Sequence, residues 1–162
     1  MKWFNEPGKY KVPSNAGPSD EGYGGSWKLN ADKTVLTLAP DSKKDFWRRT
    51  FDAHYGPLMI KNDGPCLFKK VAANKELVME IYFDLKAKGK FDHCGLMVYA
   101  DPDHWFKTGI EIVDGKPLLG TVVTNTYSDW SAQNWDSSSL RLRVTQKGNG
   151  TYIVEALGKT GY

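Results

Sequence analysis

Residues 105–113, Trp-Phe-Lys-Thr-Gly-Ile-Glu-Ile-Val, carry the densest potential chemistry in the chain. Read as a strand, the run splits by parity, because successive side chains point to opposite faces of a sheet. Phe106, Thr108, Ile110 and Ile112 form one face, which reads as core. Trp105, Lys107, Gly109, Glu111 and Val113 form the other: a ring, a cation, a gap and an acid in line, with alternate residues about 6.5–7 Å apart. Such a face suits a polar ligand, Trp105 stacking on a sugar ring while Lys107 and Glu111 hydrogen-bond to hydroxyls. A solvated face bearing a weak Lys–Glu pair fits the same pattern.

Two further segments combine polar and aromatic residues. Tyr127-Ser128-Asp129-Trp130-Ser131 reads as a compact loop in which Asp129 caps its own turn. With Thr124, it reads equally as one rim of the same pocket. The other segment is Asp45-Phe46-Trp47-Arg48-Arg49-Thr50, followed by His54-Tyr55-Gly56. Arg48 and Arg49 face oppositely if this is a strand, so at most one of them lines a given pocket. The candidate ligand-binding set is therefore Trp105, Lys107, Glu111, Arg49, Tyr55, Thr124, Asp129 and Trp130.

Catalytic arrangements are poorly served. Glycoside hydrolysis needs two carboxylates at a defined separation across the scissile bond. Glu80 and Asp84 stand four apart, and Glu111 has no acidic neighbour two residues away on its own strand. Glu111 paired with Asp129 from another segment is the alternative reading, a glycan-active hydrolase or lyase. The three His, at 54, 93 and 104, show no metal-ligand spacing, and Cys94 beside His93 would point to the opposite face. The expectation is a binding module with no catalytic residue, metal or cofactor.

These residues need a sheet to position them. Leu77, Met79, Ile81, Phe83 and Leu85 alternate cleanly, as do Leu140, Leu142 and Val144. Short runs at Val35–Leu38, Leu67–Val71, Gly95–Tyr99, Leu118–Asn125 and Thr151–Leu157 are separated by turn residues. Asp114-Gly115 is the strongest hairpin signal and predicts Thr124 opposite Trp105. Residues 8–26 are rich in Gly and Pro and read as irregular. No window shows a helical period. The pattern predicts an all-β fold: a two-sheet antiparallel β-sandwich of the concanavalin A-like jelly-roll kind, filling residues 1–162 as one domain.

Composition narrows the partners. A net charge of +3 with no clustered basic face excludes a nucleic-acid role. No long apolar stretch and no N-terminal h-region are present, which predicts no membrane contact and a cytoplasmic location. Cys66 and Cys94 lie within apolar runs and read as buried free thiols.

Trp3-Phe4-Asn5-Glu6-Pro7, Asp45–Thr50, Tyr55-Gly56, Gly95–Tyr99, Trp105–Glu111 and Thr124 with Tyr127–Ser131 occur in an order that resembles the regulation-of-enolase family. The resemblance runs to about Arg143. It implies a lectin/glucanase-type jelly roll and a tie to carbohydrate metabolism, with a sugar or sugar-phosphate-like ligand or a protein partner. Two features depart from the family pattern: the extra Phe51-Asp52-Ala53, and an end at Gly161-Tyr162 where further strands are expected. A jelly roll truncated at its C-terminus would expose a sheet edge.

Overall fold

Alternating apolar residues dictate the architecture of the computed structural model, which describes residues 25–32, 34–50, 59–66 and 71–157. Every element among them is a β-strand, so the all-β expectation holds. The strands fall into two compact units, residues 1–71 and 72–162.

In the first unit, β1 (Gly25–Leu29) pairs antiparallel with β2 (Leu36–Pro40), and β3 (Phe46–Arg48) with β4 (Ile60–Asn62). The β1–β2 turn is organised by Asn30, whose Oδ1 accepts from the Thr34 and Val35 amides at 2.9 and 2.8 Å. Asp63 ties β3 to β4, its Oδ1 accepting from Asp45 N at 3.1 Å. Phe46 is buried.

The second unit is a sandwich of two antiparallel sheets. One has the order β11-β10-β5, from β5 (Glu76–Asp84), β10 (Ser139–Lys147) and β11 (Tyr152–Leu157). The other is a meander of β6 (His93–Asp101), β7 (His104–Val113), β8 (Lys116–Asn125) and β9 (Tyr127–Asn134). Ile110, Leu140 and Leu142 are fully buried between them, with Ile81, Phe83, Leu85, Leu96, Ile112 and Leu119 packed around. Burying such side chains is the main stabilising term of a fold this size. The odd residues of β5 turn inward while Val78 and Tyr82 are 54% and 73% exposed, the parity its sequence predicts.

The β7–β8 hairpin closes at Asp114 and Gly115, with φ of 50° and 76°. Positive φ at both central residues is the mark of a type I′ turn, whose twist matches that of the flanking strands. Gly95 and Gly109 stand opposite each other on β6 and β7. A β-carbon on Gly109 would run into the Cys94 carbonyl and the Gly95 Cα, so these strands can approach only because both positions lack side chains.

The far end of the β10–β11 hairpin is tied by Gln146, which is 1% exposed. Its Nε2 reaches the carbonyls of Ala72 and Lys75 at 2.7 and 2.8 Å. Cys66 and Cys94 are half-buried free thiols, and burial pushes each up to about 11. No helix among the described residues is long and apolar enough to cross a membrane.

Candidate functional site

The face of β6–β9 turned away from the two-sheet core carries most of the expected site. Opposed residues in an antiparallel sheet share a face, so the register sorts the side chains into rows running across the strands. Tyr99, Trp105, Thr124 and Ser128 make one row, and Met97, Lys107, Val122 and Trp130 the next. The third row is Gly95, Gly109, Gly120 and Ala132, and the fourth is His93, Glu111, Leu118 and Asn134.

The first row is closed. Trp105 is 5% exposed and its Nε1 donates to the Pro102 carbonyl at 3.2 Å. Beside it Thr124 and Ser128 are buried and share a 2.7 Å hydrogen bond. Trp105 faces as predicted, and Thr124 lies opposite it. Its indole is nevertheless enclosed, and with its N–H already bonded it offers no open stacking surface. Trp130, in the next row, is 39% exposed.

The third row carries almost no side chain, and its central members Gly109 and Gly120 are buried. Lys107 and Glu111, both half-buried, flank it from either side, about 13 Å apart along their strand. The Trp130 indole lies over Gly120, its Nε1 3.0 Å from where a β-carbon would stand. Gly95, Ala132, His93 and Asn134 are exposed. Lys107 and Trp130 thus stand on one side of this row, and Glu111 and Asn134 on the other. Such a surface can hydrogen-bond hydroxyls and stack one ring.

Residues 127–134 form a strand and not the expected loop, which changes Asp129. It is paired with Val123, opposite Phe106, and so points to the other face from Trp130 and Glu111. The sheet does not bring Glu111 and Asp129 together, so the carboxylate pair that hydrolysis needs is not assembled from them. Arg49 belongs to the first unit, just after β3 with φ of 57°, and Tyr55 lies outside the described residues. Among the described residues no cluster of His, Cys, Asp or Glu could hold a metal ion.

The glycine row escaped the sequence reading, though a signal for it existed. A two-residue turn at Asp114-Gly115 pairs Val113 with Lys116 and therefore Gly109 with Gly120.

Residues 25–159 match the family described as "Protein of unknown function (DUF1349)". The chain is 37% identical to "Regulation of enolase protein 1" of Saccharomyces cerevisiae, over 76% of this chain and 63% of that protein. It is 26% identical to an uncharacterized protein of Emericella nidulans, over 59% of this chain and 47% of that one. The chain thus spans less than two thirds of the length of these relatives. Among solved structures it resembles a functionally unknown protein from Saccharomyces cerevisiae, with 31% identity and a TM-score of 0.66, covering 82% of this chain and 71% of that chain.

Proposed function

We propose, from the premise that this chain belongs to the DUF1349 family and is a relative of the regulation-of-enolase protein, that it is a non-enzymatic binding module of a regulatory protein. Its ligand is a sugar-like molecule held on the face of the β6–β9 sheet that carries Lys107, Glu111 and Trp130. The observation that carries this reading is the Gly95–Gly109–Gly120–Ala132 row, nearly free of side chains, between Lys107 with Trp130 and Glu111 with Asn134. A saccharide ring needs one aromatic face and several hydrogen-bonding groups around it. Trp130 supplies the first, and Lys107, Glu111 and Asn134 the second.

The test is a thermal-shift and calorimetric screen of neutral sugars and sugar phosphates against the wild-type chain, Trp130→Ala and Glu111→Gln. Trp130 is partly exposed, so its truncation should fold normally and abolish the response to the best ligand. A saturable response that both variants retain would place the ligand elsewhere.

The relative's name motivates a second reading, in which the same face docks a protein and enolase is the first partner to try. Binding of purified enolase that is lost in Trp130→Ala but indifferent to sugars would favour that reading.

A further inference from the structure

The hairpin joining β10 to β11 places a reactive amide and a nucleophile on neighbouring residues. Its turn reads Gly148-Asn149-Gly150, and Asn149 is the only asparagine in the chain followed by glycine. Asn149 and Gly150 are both exposed. Gly150 has φ of 85°, and nothing lies within 4 Å of where its β-carbon would stand. Backbone with no side chain and open space beside it can swing its nitrogen onto the preceding side chain. The Gly150 amide donates no hydrogen bond among the described residues, so none must break before it moves.

The amide carbon is prepared as well. Thr151 N donates to Asn149 Oδ1 at 3.1 Å, and a donor on that oxygen stabilises the negative charge it gains under attack. Lys147 N bonds to the Thr151 carbonyl at 3.0 Å and closes the turn around the pair. Other positions lack one condition or another. Every other asparagine precedes a residue whose β-carbon crowds the approach. Gly64 follows an aspartate, but its amide is bonded to the Asp45 carbonyl and the Phe46 ring blocks its open side. Asp114 precedes Gly115, but its carboxylate is paired with Lys90 at 2.8 Å, and a carboxylate resists nucleophiles.

We propose that Asn149 is a site of spontaneous covalent modification, deamidation through a cyclic imide. The Gly150 nitrogen gives up its proton and bonds to Asn149 Cγ. The Cγ–Nδ2 bond breaks, and ammonia leaves with that proton. Chain connectivity holds the reacting atoms together, which removes the entropy cost of an encounter. Water then opens the imide at either carbonyl, giving aspartate or isoaspartate. Both products add a negative charge, and isoaspartate also adds a methylene to the main chain. Gly148 packs tightly against Asn74 and Lys75, so the lengthened turn presses on the segment leading into β5. The site is separate from the β6–β9 face and stands whether or not that face binds a ligand.

The full folded chain is incubated at mildly alkaline pH, and the tryptic peptide Gly148–Lys159, which holds a single asparagine, is followed by mass spectrometry. It should gain the mass of an amide-to-acid exchange sooner than any other asparagine-containing peptide, with ammonia released in equal amount. Gly150→Ala should slow the gain by about tenfold or more. Asn149→Gln, which leaves Gly150 in place and would need a larger ring, should abolish it. In the isolated isoaspartyl product, the Asn74 and Lys75 amide resonances should shift. A peptide that stays unmodified in the folded chain while it converts in urea overturns the proposal, because the turn then protects the amide. Faster conversion at another asparagine, or a gain that persists in Asn149→Gln, overturns it equally.

Discussion

The Trp130 indole lies over Gly120, its Nε1 3.0 Å from the place a β-carbon would take. The contact is with the far end of a partly exposed side chain, which can yield. At Gly109, one strand over, the obstruction is backbone: the Cys94 carbonyl and the Gly95 Cα. Two glycines of one row therefore have different reasons to be glycine. Gly120→Ala should fold with a stability change within about 1 kcal/mol, while Gly109→Ala should lose about 3 kcal/mol or more as the strands are forced apart. Urea unfolding of both variants, with the Trp130 indole resonance followed in Gly120→Ala, checks this. Equal losses would mean the row acts only as a packing seam.

Adjacent residues on the three-stranded sheet make a similar contrast. Leu142 is fully buried between the sheets, whereas Tyr82 faces solvent. Leu142→Ala should cost about 2–5 kcal/mol, from lost transfer energy and the cavity left behind. Tyr82→Ala should stay within about 0.5 kcal/mol. Denaturant midpoints decide it, and a large loss at Tyr82 would show that the outer face is covered in solution.

What the sequence conveyed follows the range of the interactions. The β7–β8 register depends on a local turn and a local alternation, so Trp105 opposite Thr124 could be read directly. The enclosure of Trp105 depends on what lies over its row, and no local pattern reports that. Strand β9 was misread for a related reason. It has solvent on both faces over residues 129–134, so it lacks the apolar alternation that marks a half-buried strand. The turn before it is built on Thr126, with φ of 68°, a residue that turn rules do not single out. The meeting of β5 with β10 joins residues such as Asp84 and Ser139, which are 55 positions apart.

Two turn carboxylates should respond to acid and salt differently. Asp101 is held below the usual range by the Asp103 amide at 2.8 Å and by His104 at 2.8 Å. Asp114 is lowered by Lys90 at 2.8 Å. A lowered folded pKa means the native state binds fewer protons, so each contribution is present above the unfolded value of about 3.9 and lost as pH falls through the folded value. High salt screens the Lys90 charge but not a backbone hydrogen bond. An NMR titration should show Asp114 returning toward its ordinary value in salt while Asp101 stays lowered. Parallel shifts would mean that both rest on charge alone.

Gln146 is the buried polar residue whose loss should be felt furthest. It is 1% exposed, and its Nε2 reaches the carbonyls of Ala72 and Lys75 at 2.7 and 2.8 Å, with Ala73 at 3.2 Å. These bonds fix the segment that leads into β5, and Gly148, with φ of 77°, turns the chain tightly against Asn74 and Lys75. Gln146→Leu keeps much of the volume and removes the amide, leaving the carbonyls without their donor. The expected cost is about 1–3 kcal/mol, the usual penalty for stranding a buried polar partner. Its signature should be local: amides at the start of β5 should exchange faster with solvent while those near Leu140 and Leu142 keep their protection. Hydrogen exchange resolved by residue separates the outcomes. Uniform loss of protection would make Gln146 part of the cooperative core, and no change at residues 72–76 would show that its hydrogen bonds do not hold that segment.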